Sequence, residues 1–140
     1  MKIRLYFFGK PRDAHANAMA ADYLRRISHY AKADMTEIRA GRADLWAPKP
    51  TPGYRVCLDP GGKQLDSAGF IALVERAERE ARDLIFIIGG ADGLPPGWSE
   101  GADLLLSLSP MTFPHELARV MLAEQIYRAF ATLRGHPYAR

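Results

Sequence analysis

The feature that most constrains the fold is the uninterrupted apolar run Leu84–Ile88, which ends at the consecutive glycines Gly89 and Gly90. An apolar run without alternating polar residues is typical of a strand that is buried on both faces of a parallel sheet. Such a strand needs other elements to cover both of its faces, as in a layered α/β domain. We therefore predict that it is the central strand of the protein.

Strand and helix patterns alternate along the rest of the chain. Strands are predicted at Ile3–Phe8, Asp34–Ile38, Tyr54–Leu58, Leu84–Ile88 and Leu104–Leu108, and helices at His15–Tyr30, Ser67–Arg82 and Pro114–Leu133. Residues 40–53 contain three prolines and two glycines, which excludes a regular helix or a central strand throughout. The alternation predicts one α/β domain over residues 1–140, with a mostly parallel sheet and helices on both faces.

Composition limits the class of protein. With 140 residues, 48% of them hydrophobic, the chain suits one compact core, and its net charge of +3 permits a polyanionic partner without requiring one. The single cysteine, Cys57, lies in an apolar strand, as a buried thiol in a reducing compartment would. The apolar patch Leu5–Phe8 is too short for a signal sequence, and no stretch approaches the roughly 20 apolar residues of a membrane span. We expect a cytoplasmic protein that does not span a membrane.

The loops after three predicted strands are the candidate ligand sites. Ligands bind outside the carboxyl ends of parallel strands, which points to the loops following Leu58, Ile88 and Leu108. The loop after Ile88 lacks the dinucleotide fingerprint, because Ala91 and Leu94 stand where that motif needs glycine. Its glycine pair is consistent with either a sharp turn or a ligand loop.

The loop after Leu108 is rigid and apolar. Two prolines restrict it, and Met111 and Phe113 favour packing against a ligand ring or a neighbouring subunit. In the alternative interpretation these residues only stabilise the start of the final helix, with Thr112 as its N-cap.

Two groups on the final helix suggest an anionic partner. His115 and Arg119 are four residues apart, so they share a face at the positive end of the helix dipole. An ordinary solvated pair is the alternative interpretation. The four histidines are scattered and the cysteine stands alone, so we expect no metal site.

Apolar residues also surround the final helix on almost every side. They are Leu117, Ala118, Val120, Met121, Leu122, Ala123, Ile126, Tyr127, Ala129 and Phe130. Either a second apolar face is buried in a homodimer, or the other helices cover it. Beyond the helix, Gly135 suits a C-cap. Tyr138 and Arg140 either contact unpaired RNA by stacking and ion pairing or belong to a frayed terminus.

Four sequence blocks occur in a fixed order and spacing. They are Ile88–Leu94, Ser107–His115, Leu122–Ala129 and His136–Tyr138. Together with Leu58, Asp59 and Gly62-Lys63, they resemble the family of ribosomal RNA large subunit methyltransferase H (RlmH). The resemblance is strong over the C-terminal two thirds and extends to the N-terminal third only in layout.

The resemblance implies a fold, a reaction and partners. It implies a SPOUT-type α/β fold with a C-terminal trefoil knot, an exception to the rule that chains are not knotted. It also implies a homodimer that uses S-adenosylmethionine to methylate N3 of a pseudouridine. The substrate would be a stem-loop of 23S rRNA within the large subunit or 70S ribosome.

The resemblance also assigns residues. The cofactor pocket corresponds to Leu58, Gly89, Gly90, Leu108, Ser109, Pro110, Met111, Thr112 and Phe113. The RNA side corresponds to His115, Arg119, His136, Tyr138 and Arg140. We hypothesise that Arg119 stabilises the developing imide anion, and that His115 orients the base or relays its proton.

The chain departs from the family at two places. Ala139 stands where relatives usually carry a histidine, and residues 40–53 are short where many relatives have a longer insertion. The first departure keeps open the alternative of a SPOUT-like RNA-binding protein without catalysis. A third interpretation, an unrelated small-molecule α/β enzyme, would require the ordered blocks to be coincidental.

Overall fold

The computed structural model describes residues 1–39 and 53–138. The elements are β1 (Lys2–Phe8), α1 (Ala14–Ile27), β2 (Lys32–Ile38), β3 (Tyr54–Gln64), α2 (Ser67–Arg79), β4 (Leu84–Ile88), β5 (Leu104–Ser107) and α3 (His115–Leu133). A short 3₁₀ helix, Ser99–Gly101, lies between β4 and β5. The irregular segment predicted at 40–53 falls, except for Gly53, outside the described residues.

The strands form one five-stranded parallel sheet. Their order is β2-β1-β4-β3-β5, and every paired neighbour runs parallel. The prediction for the central strand is confirmed, because β4 pairs on both sides and four of its five residues are buried. The carboxyl ends of β1, β3, β4 and β5 therefore meet at one edge of the sheet.

Side-chain caps mark the starts of α1 and α2. The Asp13 carboxylate accepts hydrogen bonds from the backbone N–H groups of His15 and Ala16 at the start of α1, and Asp66 caps α2 in the same way. The interpretation of Thr112 as the N-cap of the final helix is wrong. That helix begins after Pro114, without a side-chain capping bond.

The sheet is covered more unevenly than we predicted. Buried residues of α1, α2 and α3 join one cluster with alternate residues of the sheet, including Leu5, Val56 and Phe86. The opposite face packs against Trp98, in the segment that carries the 3₁₀ helix. Among the described residues, all three α-helices thus lie on one face, and a single 3₁₀ turn lies on the other. The cause is topological: β1–α1–β2 and β3–α2–β4 cross the sheet in the same direction, so right-handed connections put both helices on the same side.

The strand predicted to end at Leu58 continues to Gln64 after a bulge. Leu58 and Lys63 both align with Leu106 of β5, so the residues between them bulge out of the ladder. A Cβ added at Gly62 would lie 2.6 Å from the carbonyl oxygen of Leu105. Glycine is therefore required for the backbone of the bulge to lie this close to β5.

Most of the apolar surface of α3 is buried within one chain. The helix contacts both α1 and α2, and residues such as Val120, Ile126 and Phe130 are buried. The other helices therefore account for most of its second apolar face. Leu117 and Met121 remain 46% and 47% exposed.

Cys57 and the end of α3 agree with their predictions. Cys57 is fully buried, and burial raises the pKa of its thiol to about 12. Gly135 follows the C-cap residue Arg134 with a φ of +71°, the left-handed conformation in which glycine ends a helix.

Candidate active site

A cavity of about 230 Å³ opens beside the bulge in β3 and the carboxyl ends of β4 and β5. Its lining residues are Leu58, Asp59, Pro60, Ile88, Gly90, Ala91, Gly93, Leu108, Ser109, Met111, Thr112, Phe113 and Ala118. They come from the bulge in β3, from the end of β4 and the loop after it, from the loop after β5, and from the first turn of α3. The structure thus brings together seven of the nine predicted cofactor residues. We call this space the cofactor cavity.

Gly89 and Pro110 are the two predicted residues that do not line the cavity. A Cβ added at Gly89 would lie 2.8 Å from the carbonyl carbon of Gly93, so Gly89 lets the loop fold back on itself. Gly90 does line the cavity, and a Cβ there would lie 3.0 Å from the carbonyl oxygen of Phe8. Pro110 is exposed and lies between two lining residues. Both glycines are therefore needed for close backbone packing at the wall.

Local hydrogen bonds fix the other two loops. The Ser107 hydroxyl donates to the carbonyl oxygen of Pro60 at 3.0 Å, which ties the end of β5 to the bulge in β3. The Asp59 carboxylate accepts from the backbone N–H of Gly61 at 2.8 Å. The backbone N–H of Met111 donates to the Ser109 hydroxyl at 3.0 Å. The wall is thus shaped before any ligand binds.

A second, larger cavity adjoins the first. It measures about 400 Å³ and shares Leu108 and Phe113 with the cofactor cavity. Its other walls include Asp66 and Ser67 at the start of α2 and Gln125 on α3. Phe113, which is 38% exposed, separates a mainly apolar pocket from a more polar one.

His115 lies at the junction of two loops beside the cofactor cavity. It is half-buried at the first position of α3. A Cβ added at Gly9 would lie 3.6 Å from the Nε2 atom of His115, so the imidazole reaches the loop after β1. The imidazole therefore adjoins this loop at the edge of the sheet where the cavity opens.

Arg119 is buried, so the interpretation of it as a solvated surface residue is wrong. Its side chain is 2% exposed, and its Nη2 atom lies 3.0 Å from an oxygen of Glu116. The guanidinium carbon lies 3.8 Å from the centre of the Phe7 ring, a cation–π contact. Burial lowers the pKa of Arg119, and the charges of Glu116 and Glu37 oppose that shift. Arg119 lines neither cavity.

Glu116 joins α3 to the loop before α1. Its carboxylate accepts hydrogen bonds from the backbone N–H groups of Arg12, at 2.6 Å, and Asp13, at 3.1 Å. It also accepts from the amide of Asn17 at 3.3 Å. The hydrogen bond from Arg12 is the largest of the effects that lower the pKa of this carboxyl group. Glu116 thus holds Arg119 and the loop at the same point.

The C-terminal segment packs on the helices instead of fraying. The Tyr138 hydroxyl donates to Glu124 at 2.9 Å and lies 3.3 Å from the hydroxyl of Tyr23. Its ring packs edge-on against Tyr127, with centroids 4.6 Å apart. Burial is the main cause of the raised pKa of Tyr138. His136 is exposed, and Arg140 lies outside the described residues.

Sequence reasoning missed both glutamates of α3. Glu116 and Glu124 stand three and four residues before an arginine, a spacing that indicates a helical ion pair. The spacing could have identified the pairs, although their contacts with the loop before α1 and with the tail depend on the fold. Asp59, which was noted in the family resemblance, lies at the cavity wall but was not assigned to the cofactor pocket, although it directly follows a predicted strand.

No group of three or more potential metal ligands occurs within residues 1–39 and 53–138. In the same part of the chain, the helices are too short or too polar to cross a membrane.

Comparison with known proteins identifies the family. The family model described as "Predicted SPOUT methyltransferase" matches residues 1–139. The chain belongs to the SPOUT methyltransferases. The resemblance recognised in the sequence blocks is thereby confirmed, and the protein is a methyltransferase.

Similar proteins place this SPOUT methyltransferase within the RlmH family. A protein of Solibacter usitatus named "Ribosomal RNA large subunit methyltransferase H" is 61% identical over 140 residues, with 100% of both chains covered. A protein of Thermus thermophilus with the same name is 42% identical over 142 residues, covering 100% of this chain and 99% of its own.

Solved structures support the fold. A probable methyltransferase from Bordetella pertussis superposes with a TM-score of 0.61 at 13% identity, covering 91% of this chain and 93% of its own. A probable methylase family protein from Haemophilus influenzae gives a TM-score of 0.58 at 6% identity, covering 99% of this chain and 70% of its own. At these identities the likeness supports a shared fold and nothing finer.

Proposed function

We propose that the protein methylates 23S ribosomal RNA, transferring a methyl group from S-adenosylmethionine to N3 of a pseudouridine in a stem-loop of the assembled ribosome. The observation that carries this proposal is the cofactor cavity, which is lined by seven of the nine residues that the family resemblance assigned to the cofactor. The names of the full-length relatives support an RNA substrate. We therefore propose that the protein acts on ribosomes in the cytoplasm.

The cofactor cavity fits the proposed cofactor in its chemistry. Leu58, Leu108 and Met111 offer apolar surface, and the glycine loop leaves peptide groups accessible beside it. Apolar walls with a few polar groups are usual for a site that binds a nucleoside. When bound, S-adenosylmethionine supplies a methyl group activated by its sulfonium charge.

His115 is our candidate for handling the proton of the target base. Methylation at N3 requires that nitrogen to lose its proton, and a half-buried imidazole at the sheet edge can orient the base or accept this proton. The proposed role of Arg119 differs, because its guanidinium is held by Glu116. We propose that the positive charge of the buried Arg119 stabilises the developing imide anion without direct contact.

We also propose a homodimer. Exposed apolar side chains cluster beside the cavities: Met111 is 73% exposed, and Leu117 and Met121 follow it on the first turns of α3. Met111 lines the cofactor cavity and Met121 the second cavity. A second copy covering this patch would bury the apolar surface and close both cavities from one side.

We propose further that the C-terminal part is knotted in the SPOUT manner. The connection from β4 to β5 passes over the face that holds Trp98, whereas α3 lies on the opposite face in contact with α1 and α2. The chain therefore changes face between β5 and α3, as a terminal helix that has passed through a loop would do.

The decisive experiment is methyl transfer to ribosomes that lack this modification. Purified protein is incubated with labelled S-adenosylmethionine and the ribosomes, and the modified nucleotide is mapped. We expect label on N3 of one pseudouridine of 23S rRNA. Cofactor binding without transfer would favour an RNA-binding protein without catalysis, and transfer to another nucleotide would contradict the proposed substrate.

A pair of variants connects this activity to the cavity. Gly89→Ala places a Cβ 2.8 Å from the backbone of Gly93, so the glycine loop must shift. We expect a loss of cofactor affinity of about tenfold or more, equivalent to ~1.4 kcal/mol or more. Asp92→Asn, in the same loop at an exposed position outside the cavity lining, is the matched control and should bind normally. Equal affinity of both variants in equilibrium dialysis would contradict the assignment.

A further inference from the structure

Unpaired positive charges occupy the loop between β1 and α1. Lys10 and Arg12 are exposed, and within residues 1–39 and 53–138 neither side chain forms an ion pair. By contrast, each of α1, α2 and α3 has an arginine that forms an ion pair with an acid three or four residues away, as in Arg76–Glu80. We call residues 9–13 the basic loop.

The one acidic residue of the basic loop points its carboxylate at the helix. Both His15 and Ala16 donate their backbone N–H groups to the same oxygen of Asp13. A carboxylate at a helix N-terminus is partly compensated by the helix dipole. The charges of Lys10 and Arg12 therefore remain available to a partner in solution.

The basic loop lies at the same edge of the sheet as the cofactor cavity. Phe7 of β1 aligns with Ile88 of β4, and Ile88 lines the cavity. A Cβ added at Gly90 would lie 3.0 Å from the carbonyl oxygen of Phe8, so the glycine loop and the end of β1 are in contact. Lys10 follows this contact by two residues. The glycine loop, at the same edge, contains one acidic residue, the exposed Asp92.

Glu116 fixes where this loop stands. Its carboxylate binds the backbone N–H groups of Arg12 and Asp13, and it lies on α3 directly after His115. Glu116 thereby holds the loop through its backbone. The side chains of Lys10 and Arg12 take no part in these bonds.

We propose that the basic loop binds the phosphate backbone of the RNA substrate and positions the target nucleotide at the cofactor cavity. This inference rests on the proposed function and adds to it a substrate-binding surface. Exposed lysine and arginine side chains provide most of the affinity of proteins for nucleic acid phosphates, whatever the sequence. The loop would act on substrate binding and leave cofactor binding to the cavity.

The test compares two double variants with the same change in charge. Lys10→Ala with Arg12→Ala removes the proposed contacts, whereas Lys2→Ala with Lys32→Ala removes two exposed lysines from the opposite edge of the sheet. KM for ribosomes, kcat and cofactor affinity are measured for each at 50 and 200 mM salt. Because all four side chains are exposed, thermal unfolding should match that of the unmodified protein.

We expect the loop variant to raise KM for ribosomes while cofactor affinity is unchanged, and the control variant to change neither. Raising the salt from 50 to 200 mM should also weaken ribosome binding less in the loop variant than in the unmodified protein. The two losses of affinity should differ by roughly 7- to 12-fold, the factor for two phosphate contacts. Equal behaviour of the two variants, or an unchanged salt dependence, would overturn the inference. If the unmodified protein transfers no methyl group to ribosomes, the proposed function fails first, and this inference fails with it.

Discussion

The helix α3 carries two glutamate–arginine pairs that differ in burial and in what they hold. Near its start, Glu116 pairs with Arg119, whose side chain is 2% exposed, and binds the basic loop. Eight residues later, Glu124 pairs with Arg128, whose side chain is 31% exposed, and accepts a hydrogen bond from Tyr138. We call these the amino-terminal pair and the tail pair.

The difference shows how one sequence pattern serves two purposes. The amino-terminal pair is shielded from water, so losing either partner would leave a charge without compensation. The tail pair is partly hydrated, and its ion pair contributes less. Its acid still attaches the tail, because Tyr138 needs a partner for its hydroxyl where it packs on Tyr127.

The largest effect is expected from breaking the amino-terminal pair. Arg119→Met keeps most of the side-chain volume but removes the cation, and we expect it to lower the free energy of unfolding by about 3 kcal/mol. Arg128→Met is the matched control in the tail pair and should cost less than about 1 kcal/mol. Urea denaturation of both variants measures the difference. Losses of equal size would show that burial does not distinguish the two pairs.

A smaller effect is expected where the tail attaches. Tyr138→Phe removes the hydroxyl that donates to Glu124 and keeps the ring, so we expect a loss of about 1 kcal/mol. Cleavage of the tail in limited proteolysis should become faster while the rest of the chain stays resistant. Tyr30→Phe deletes a hydroxyl from a ring that stacks on Phe130 and is the control. Unchanged proteolysis of the Tyr138 variant would mean that ring packing alone holds the tail.

The smallest effect concerns pH. Hydrogen bonds from Arg12 and Asp13 lower the pKa of Glu116, so its contribution to stability is complete above the ordinary carboxyl pKa. That contribution is lost as the pH falls through the lower, folded-state value. Glu116→Gln should therefore lose less stability than the unmodified protein between pH 5 and pH 2, in denaturation curves measured across that range. Parallel curves would contradict the assigned shift.

Local patterns predicted most of the fold. The apolar run of β4 and the alternation of elements identified a parallel sheet and its central strand, because burial on both faces leaves a direct mark on composition. The sequence predicted that this strand ends at Leu58, whereas β3 continues past a bulge. Glycine and proline indicate that strand pairing is interrupted, but they do not show whether the strand continues afterwards. The placement of α1, α2 and α3 on one face depends on strand order, which no local pattern contains.

The candidate site was predicted unevenly. The residues of the cofactor cavity came from family resemblance, and the strand-end rule independently located their loops. The burial of Arg119 was missed because its shielding comes from Phe7 and Glu116, the first of them over a hundred positions away. Tyr138 was recognised, but its packing on α1 and α3 depends on where the chain turns after Gly135.

The reach of Glu116 across the sequence also bears on the order in which the protein forms. Its hydrogen bond to the backbone of Asp13 spans 103 residues, and contacts of such separation form late because the intervening chain must be ordered first. During synthesis, the first helix leaves the ribosome long before the residue that secures the loop ahead of it. The edge of the sheet at which the cofactor cavity opens is therefore completed only after α3 has been made, so an unfinished chain has no assembled candidate site.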